Sequence, residues 1–211
     1  MVEKTLTEII NTTTKRNEKT MMKYVDDYIM VQNLIPIELC KSLIRENSLP
    51  EKKWSKHSWS RYDQHTSPQK AEKELDSIYA TREQFKMIEK YLLEALGKYQ
   101  QKYSQEGGQA ASPWIGHISA VRFNRYKVGT HMKSHYDHIH TIFDGKYKGI
   151  PILSFIGLLN DNYQAGEFLC REKEIKLKRG DLLLFPSNFM YPHRVKEITK
   201  GIRYSFVGWA F

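Results

Sequence analysis

Hydrophobic periodicity changes character about halfway along the chain, from helical spacing before residue 110 to short alternating or continuous apolar runs after Trp114. Residues 1–22 are polar and Thr-rich without an apolar period, and a mobile N-terminal arm is expected there. Residues 28–34 read as a strand. Pro36 suits the start of a helix that carries Ile37, Cys40, Leu43 and Ile44 on one stripe and ends before Pro50. Residues 54–62 are strand-like, aromatic and basic, and are read as a packing strand in preference to a substrate wall. A longer helix starts near Gln69 or Ala80 and runs to Gln105, with Phe85, Ile88, Leu92, Ala95, Leu96 and Tyr99 at helical spacing on a core-facing stripe.

After Trp114 the pattern predicts strands over 118–126, 134–138, 152–159, 167–169, 175–178, 181–185, 192–195 and 202–210. Short strands in this number suit a double-stranded β-helix, or jelly roll, with the N-terminal helices packed on the outside of one sheet. The expected fold class is therefore mostly β with supporting α. A single domain over 23–211 would hold helical support in 23–110 and the jelly-roll core in 114–211.

Composition agrees with that organisation. The chain has 211 residues, enough for one core, and an ordinary 40% apolar content. No run of about 18 apolar residues occurs, and the first twenty residues, with Lys4, Lys15, Arg16 and Lys19, match neither a signal peptide nor a membrane anchor. A cytoplasmic protein with no membrane association is expected. Cys40 and Cys170 allow at most one bridge and no thiolate metal cluster. The net charge of +9 is unevenly spread, with 18 basic against 16 acidic residues in 1–110 and 15 against 8 in 111–211. Arg122, Arg125, Lys127, Lys133, Lys146 and Lys148 form a basic rim suited to an acidic peptide, a nucleic acid or simple solubility.

The candidate chemistry lies in the same half. On a strand, His135 and Asp137 project from one face about 6.5 to 7 Å apart and can reach one ion. Pro192-His193 supplies a second imidazole. Two imidazoles and one carboxylate on one face of an octahedral cation leave the opposite positions open, as non-haem Fe(II) oxygenases require. Around these residues stand Tyr126-x-x-Gly129, then Gly180-Asp181 leading to Phe185-Pro186, then Gly201-Ile-Arg203-Tyr-Ser205 and Trp209.

In that order of motifs, residues 118–211 resemble the Fe(II)/2-oxoglutarate-dependent dioxygenases, and most closely their prolyl 4-hydroxylase-like branch. The resemblance implies that His135, Asp137 and His193 hold Fe(II), and that Arg203 grips the distal carboxylate of 2-oxoglutarate with Tyr126 and Ser205 as hydroxyl partners. It implies O2 as oxidant, succinate and CO2 as coproducts, ascorbate as an accessory reductant, and Arg122, Tyr136 and Trp209 as residues facing the substrate. That substrate would be a prolyl residue of a peptide or protein. Collagen is disfavoured because collagen-type relatives use Lys where Arg203 stands. The same chemistry on a small molecule or a nucleic acid is the alternative, the nucleic acid being the weaker because nucleic-acid demethylating relatives carry more arginines after the distal His than Arg194 and Arg203.

Geometry adds three expectations. A hairpin turning near Ile198 would set His193 opposite Arg203 and bring metal and carboxylate anchor to one wall. Arg194, of opposite parity to His193, would be structural or solvent-directed. Residues 138–149 are long for a strand connection and suit a substrate lid. Two rivals remain: a cupin-like metal protein using His138 and His140 with Asp144, and a non-enzymatic jelly-roll binding module.

Overall fold

The computed structural model describes residues 26–59, 69–70, 73–104, 115–137 and 151–211. The expected arm at 1–22, the lid at 138–149 and the rival ligands His138, His140 and Asp144 lie outside these residues. The described elements are β1 (Met30–Asn33), α1 (Ile37–Asn47), β2 (Ser55–Lys56), β3 (Ser58–Trp59), β4 (Gln69–Lys70), β5 (Asp76–Tyr79), α2 (Arg82–Ser104), β6 (Arg122–Tyr126), β7 (Met132–His135), β8 (Leu153–Leu158), β9 (Gln164–Ala165), β10 (Phe168–Cys170), β11 (Lys173–Ile175), β12 (Asp181–Pro186), β13 (His193–Val195), β14 (Ile198–Lys200) and β15 (Arg203–Ala210).

The strands form a large antiparallel sheet, in the order β1-β12-β8-β15-β6-β5-β2, and a smaller one in the order β11-β10-β13-β7. Two short pairs, β14 with β9 and β3 with β4, complete the described β structure. Strand alternation divides the apolar residues between two cores. In β12, Leu182 and Leu184 turn to the helices, where they meet Cys40 and Leu43 of α1 and Ile88 and Leu92 of α2. Leu183 and Phe185 turn the other way, into the space between the sheets, against Phe168, Tyr126 and Val195. Each such side chain contributes about 1.5–3 kcal/mol on burial, and β12 has both faces covered. The expected jelly roll with helices on one sheet is what forms.

Local chemistry sets the helix ends. Pro36 caps α1 at its N-terminal side, and its carbonyl accepts from the Cys40 N–H at 3.0 Å. At the far end the Ser48 hydroxyl donates to the Ile44 carbonyl at 2.7 Å. The start of α2 is fixed by a reciprocal capping box: the Gln84 N–H donates to Thr81 Oγ1 at 3.2 Å and the Thr81 N–H to Gln84 Oε1 at 3.1 Å. Of the two expected starts, the one near Ala80 is what forms and the one at Gln69 is not, because residues 76–79 form a strand that precedes the helix.

Gly180-Asp181 is a structural motif. Gly180 has φ +87° at the turn into β12, and a Cβ there would collide with the Ile35 carbonyl, which a residue other than glycine could not avoid. Asp181 accepts from the Lys178 N–H and from Asn33 Nδ2, both at 2.7 Å, and so ties the turn to β1. Cys40 and Cys170 are free thiols in different cores, so no bridge joins them. Burial pushes their thiols up to about 11 and about 12. Among the described residues no helix is long and apolar enough to cross a membrane.

Candidate active site

β7 and β13 run antiparallel in the small sheet with His135 directly opposite His193, and their ring centroids are 4.3 Å apart. The Nδ1 atoms lie 2.9 Å from the Lys133 carbonyl and 3.0 Å from the Tyr191 carbonyl, respectively. A carbonyl oxygen only accepts, so Nδ1 bears the proton in both rings and Nε2 keeps its lone pair. Both Nε2 atoms face one carboxylate: His135 lies 3.8 Å from Asp137 Oδ1 and His193 lies 4.0 Å from Asp137 Oδ2. All three potential ligand atoms fall within 4.8 Å of one another. These separations are too long for hydrogen bonds and suit donors placed around a common ion.

Asp137 lies two residues past the end of β7, so strand parity alone does not put it beside His135; the expected strand over 134–138 is displaced toward the N-terminus. The carboxylate is held instead from the large sheet. The Ser154 hydroxyl of β8 donates to Asp137 Oδ2, the Trp209 side chain of β15 also hydrogen-bonds to it, and the Ser154 and Ser187 hydroxyls are bonded at 3.1 Å. Burial pushes His135 down to about 4, with the neighbouring His193 next in effect. Burial alone would raise Asp137, but the two imidazoles, Ser154 and Trp209 outweigh it and hold the carboxyl below the usual range. At neutral pH, His135 is thus uncharged and Asp137 ionised, the states that metal binding needs.

Arg203 is 1% exposed on the inner face of the large sheet, directly opposite Tyr126. Its Nη1 donates to Ser205 Oγ at 3.0 Å, its guanidinium carbon lies 5.1 Å from the Tyr126 ring centroid, and its buried Nε has no partner. Among the described residues no carboxylate pairs with it. A buried guanidinium without a counter-ion costs several kcal/mol, so this group fits a site whose carboxylate arrives with a ligand. Burial raises the Tyr126 hydroxyl, with Arg203 and Arg122 opposing that shift.

The inward rows Arg203, Ser205, Val207 and Trp209 of β15 and Tyr126, Asn124 and Arg122 of β6 line one cavity with the triad. The expected hairpin does not form. β13 pairs with β7 and β10, β14 pairs with β9, and β15 pairs with β6 and β8. His193 and Arg203 therefore come from opposite walls and meet across the cavity.

Other expectations divide. Trp209 and Arg122 line the cavity, whereas Tyr136 is 47% exposed and is no part of the lining. Of the basic rim, Arg125 and Lys127 belong to the outer face, where both pair with Asp76. Arg194 pairs with Glu172 at 2.5 Å, away from the site. Trp54 packs against the helix-facing core under Arg125, 4.4 Å from its ring centroid, as a packing residue.

Sequence reading missed Ser154, whose signal is a lone hydroxyl in a strand buried along its whole length. It also missed Asn124, which is buried, hydrogen-bonds to Tyr126, and has an unpartnered Oδ1 in the cavity wall. His57 was passed over as well, and no local pattern marked it. It is buried on the edge of the large sheet and pushed down to about 4 by burial, then Arg122, then His135.

Residues 121–211 match the family model described as the 2OG-Fe(II) oxygenase superfamily. A PKHD-type hydroxylase of Synechococcus elongatus is 31% identical over 105 residues, covering 47% of this chain and 46% of that protein. A PKHD-type hydroxylase of Aliarcobacter butzleri is 32% identical over 101 residues, covering 44% and 43%. The chain spans about half the length of the curated relatives it matches. Among solved structures, a Pseudomonas putida prolyl-4-hydroxylase superposes with a TM-score of 0.59 at 19% identity, covering 88% of this chain and 95% of that one. A Trichoplax adhaerens prolyl hydroxylase, solved with a hypoxia inducible factor oxygen degradation domain peptide fragment, gives 0.59 at 18% identity, covering 100% and 94%. At such identities these structures speak for the fold.

Proposed function

From the match of residues 121–211 to the 2OG-Fe(II) oxygenase superfamily model, we propose that the chain is an Fe(II)- and 2-oxoglutarate-dependent dioxygenase that hydroxylates a C–H bond of a peptide or protein, most specifically at a prolyl residue. One observation carries the reading: two imidazoles and a carboxylate converge in a cavity whose opposite wall holds a buried guanidinium with no carboxylate partner among the described residues. The family match implies Fe(II), 2-oxoglutarate and O2, which when bound supply the oxidising chemistry and leave succinate and CO2 beside the hydroxylated product.

The chain's own residues have the remaining tasks. His135, Asp137 and His193 would hold Fe(II), with the backbone carbonyls of Lys133 and Tyr191 fixing both rings and Ser154 fixing the carboxylate. Arg203 would clasp the distal carboxylate of 2-oxoglutarate as a two-pronged fork. Ser205 orients that fork and Tyr126 walls its other side. Trp209 and Arg122, which line the same cavity, would meet the substrate, and the apolar lining of Ile156, Phe168, Val195 and Val207 would keep bulk water away. A prolyl substrate is supported by the prolyl hydroxylases that share the fold, one of them solved with a peptide fragment.

The test is release of labelled CO2 from carboxyl-labelled 2-oxoglutarate with Fe(II) present and absent, in the wild type and in His135→Ala, alongside a peptide screen read by the mass gain of one oxygen. Iron-dependent release that His135→Ala abolishes supports the reading. Release that survives in His135→Ala sinks it.

A further inference from the structure

Arg122 is the cation that the proposed reaction leaves over. It lies on the inner face of β6, with Val207 and Tyr79 as its cross-strand neighbours, four residues before Tyr126 along the strand. At about 3.3 Å per residue, roughly 13 Å along the strand separates its row from that of Arg203. Tyr79, 67% exposed, shares its face. Arg122 lines the cavity, its Nε is buried without a hydrogen-bond partner, and among the described residues it makes no ion pair. The titratable groups that feel it are His57, His135 and Tyr126. None of these is a carboxylate.

Among the described residues the charges that line the cavity are Arg122, Arg203 and Asp137. A divalent cation on the triad and a dianionic cosubstrate on Arg203 would leave one positive charge uncompensated, and its position is that of Arg122. Unpaired charge in a partly dry site is costly, and a guanidinium best meets planar oxyanions as a fork.

We propose that Arg122 is a specificity-determining residue that receives a carboxylate of the substrate close to the C–H bond to be hydroxylated, so that the substrate class is a peptide with either an acidic side chain or a free C-terminus beside the target carbon. This rests on the dioxygenase reading, and it selects among substrates within it. The exposed ring of Tyr79 and the indole of Trp209 flank the approach. Basic or neutral segments lacking the carboxylate would leave Arg122 without a partner in a partly dry site, and binding would discriminate against them.

The test uses three small probes: N-acetylglutamate α-amide, with only a side-chain carboxylate; N-acetylglutamine, with only a terminal one; and neutral N-acetylglutamine amide. They are titrated into protein carrying 15N-labelled arginine, loaded with Zn(II) as a redox-inert ion and with 2-oxoglutarate. The Arg122 Nε–H resonance is assigned by its loss in Arg122→Lys, and that of Arg203 by its loss in Arg203→Lys. One carboxylate probe should shift the Arg122 resonance saturably and bind at least about tenfold more tightly than the neutral amide, a difference of about 1.4 kcal/mol. Arg122→Gln should lose that preference, and which probe responds tells side chain from terminus.

Equal binding of acid and amide overturns the proposal. So does an Arg122 resonance that moves with 2-oxoglutarate alone and with no carboxylate thereafter, since the residue would then serve the cosubstrate. An Arg203 resonance indifferent to 2-oxoglutarate would instead overturn the dioxygenase reading. The same titrations on unloaded protein keep the two failures apart.

Discussion

β5 and β6 carry two electrostatic regions on opposite faces of the same strands. On the outer face, Asp76 is ringed by cations, with Arg125 at 2.9 Å, Lys127 at 3.1 Å and Lys56 at 3.2 Å. On the inner face, Arg122 and Arg203 have no carboxylate partner among the described residues, and the nearest ionised acid in the cavity lining, Asp137, is turned to the two imidazoles. The outer cluster is complete within the chain and holds strands together. The inner one has no such completion among the described residues, and the proposed function has a ligand supply it. Folding thus tolerates an unfavourable interior charge where function is to supply its partner, and the two faces respond to mutation in opposite ways.

The largest contrast should come from Arg203→Ala. Loss of the charged partner of a buried carboxylate removes about 2–5 kcal/mol of cosubstrate binding, and the 2-oxoglutarate concentration needed for half-maximal CO2 release should rise steeply. Urea unfolding of the ligand-free protein should be little weakened, because an unpaired buried charge has been deleted. A large loss of stability with an unchanged 2-oxoglutarate requirement would make Arg203 a structural residue.

Asp76→Asn should do the reverse, costing about 2–3 kcal/mol in urea unfolding because three cations lose their acceptor, with cosubstrate dependence unaltered. Burial would raise the Asp76 carboxyl, but Lys127, Arg125 and Lys56 outweigh it and hold its folded value below the ordinary one. A depressed folded pKa stabilises above the unfolded value of about 3.9. That contribution should vanish as pH falls through the lowered folded value, and unfolding measured at descending pH should show wild type and Asp76→Asn converging.

Ser154→Ala sharpens the inner face further. It removes the hydroxyl that steers Asp137, and metal affinity measured by Mn(II) titration should fall about 10- to 100-fold with cosubstrate grip at Arg203 retained. Smallest is Thr81→Ala, which breaks one side of the α2 capping box and should cost about 1 kcal/mol in unfolding while leaving metal and 2-oxoglutarate binding unmoved.

Much of the site was legible because its chemistry restricts residue type. Imidazole and carboxylate groups suit a divalent cation and a cationic side chain suits a carboxylate, so His135, Asp137, His193 and Arg203 stand out in the sequence, and the inward neighbours of Arg203 on β15 follow from period-two alternation. Topology was less legible. The hairpin expected near Ile198 fails because β14 leaves the path to pair with β9, a long-range choice that local parity does not contain. Asp76–Tyr79 escaped notice because a four-residue strand of mixed polarity, with both faces used, shows neither a clear strand period nor a clear break from the helix that follows. Thr81-x-x-Gln84 was in plain view and would have fixed the start of α2.

The two walls have one more consequence. His135 and His193 hang from the small sheet, Arg203 from the large one, and Asp137 is strapped across from the first to Ser154 and Trp209 of the second. The interlayer filling of Phe168, Phe185, Ile156 and Val195 therefore acts as a gauge block that sets the span between the histidine pair and Arg203. Hollowing it out would detune that span before the barrel came apart.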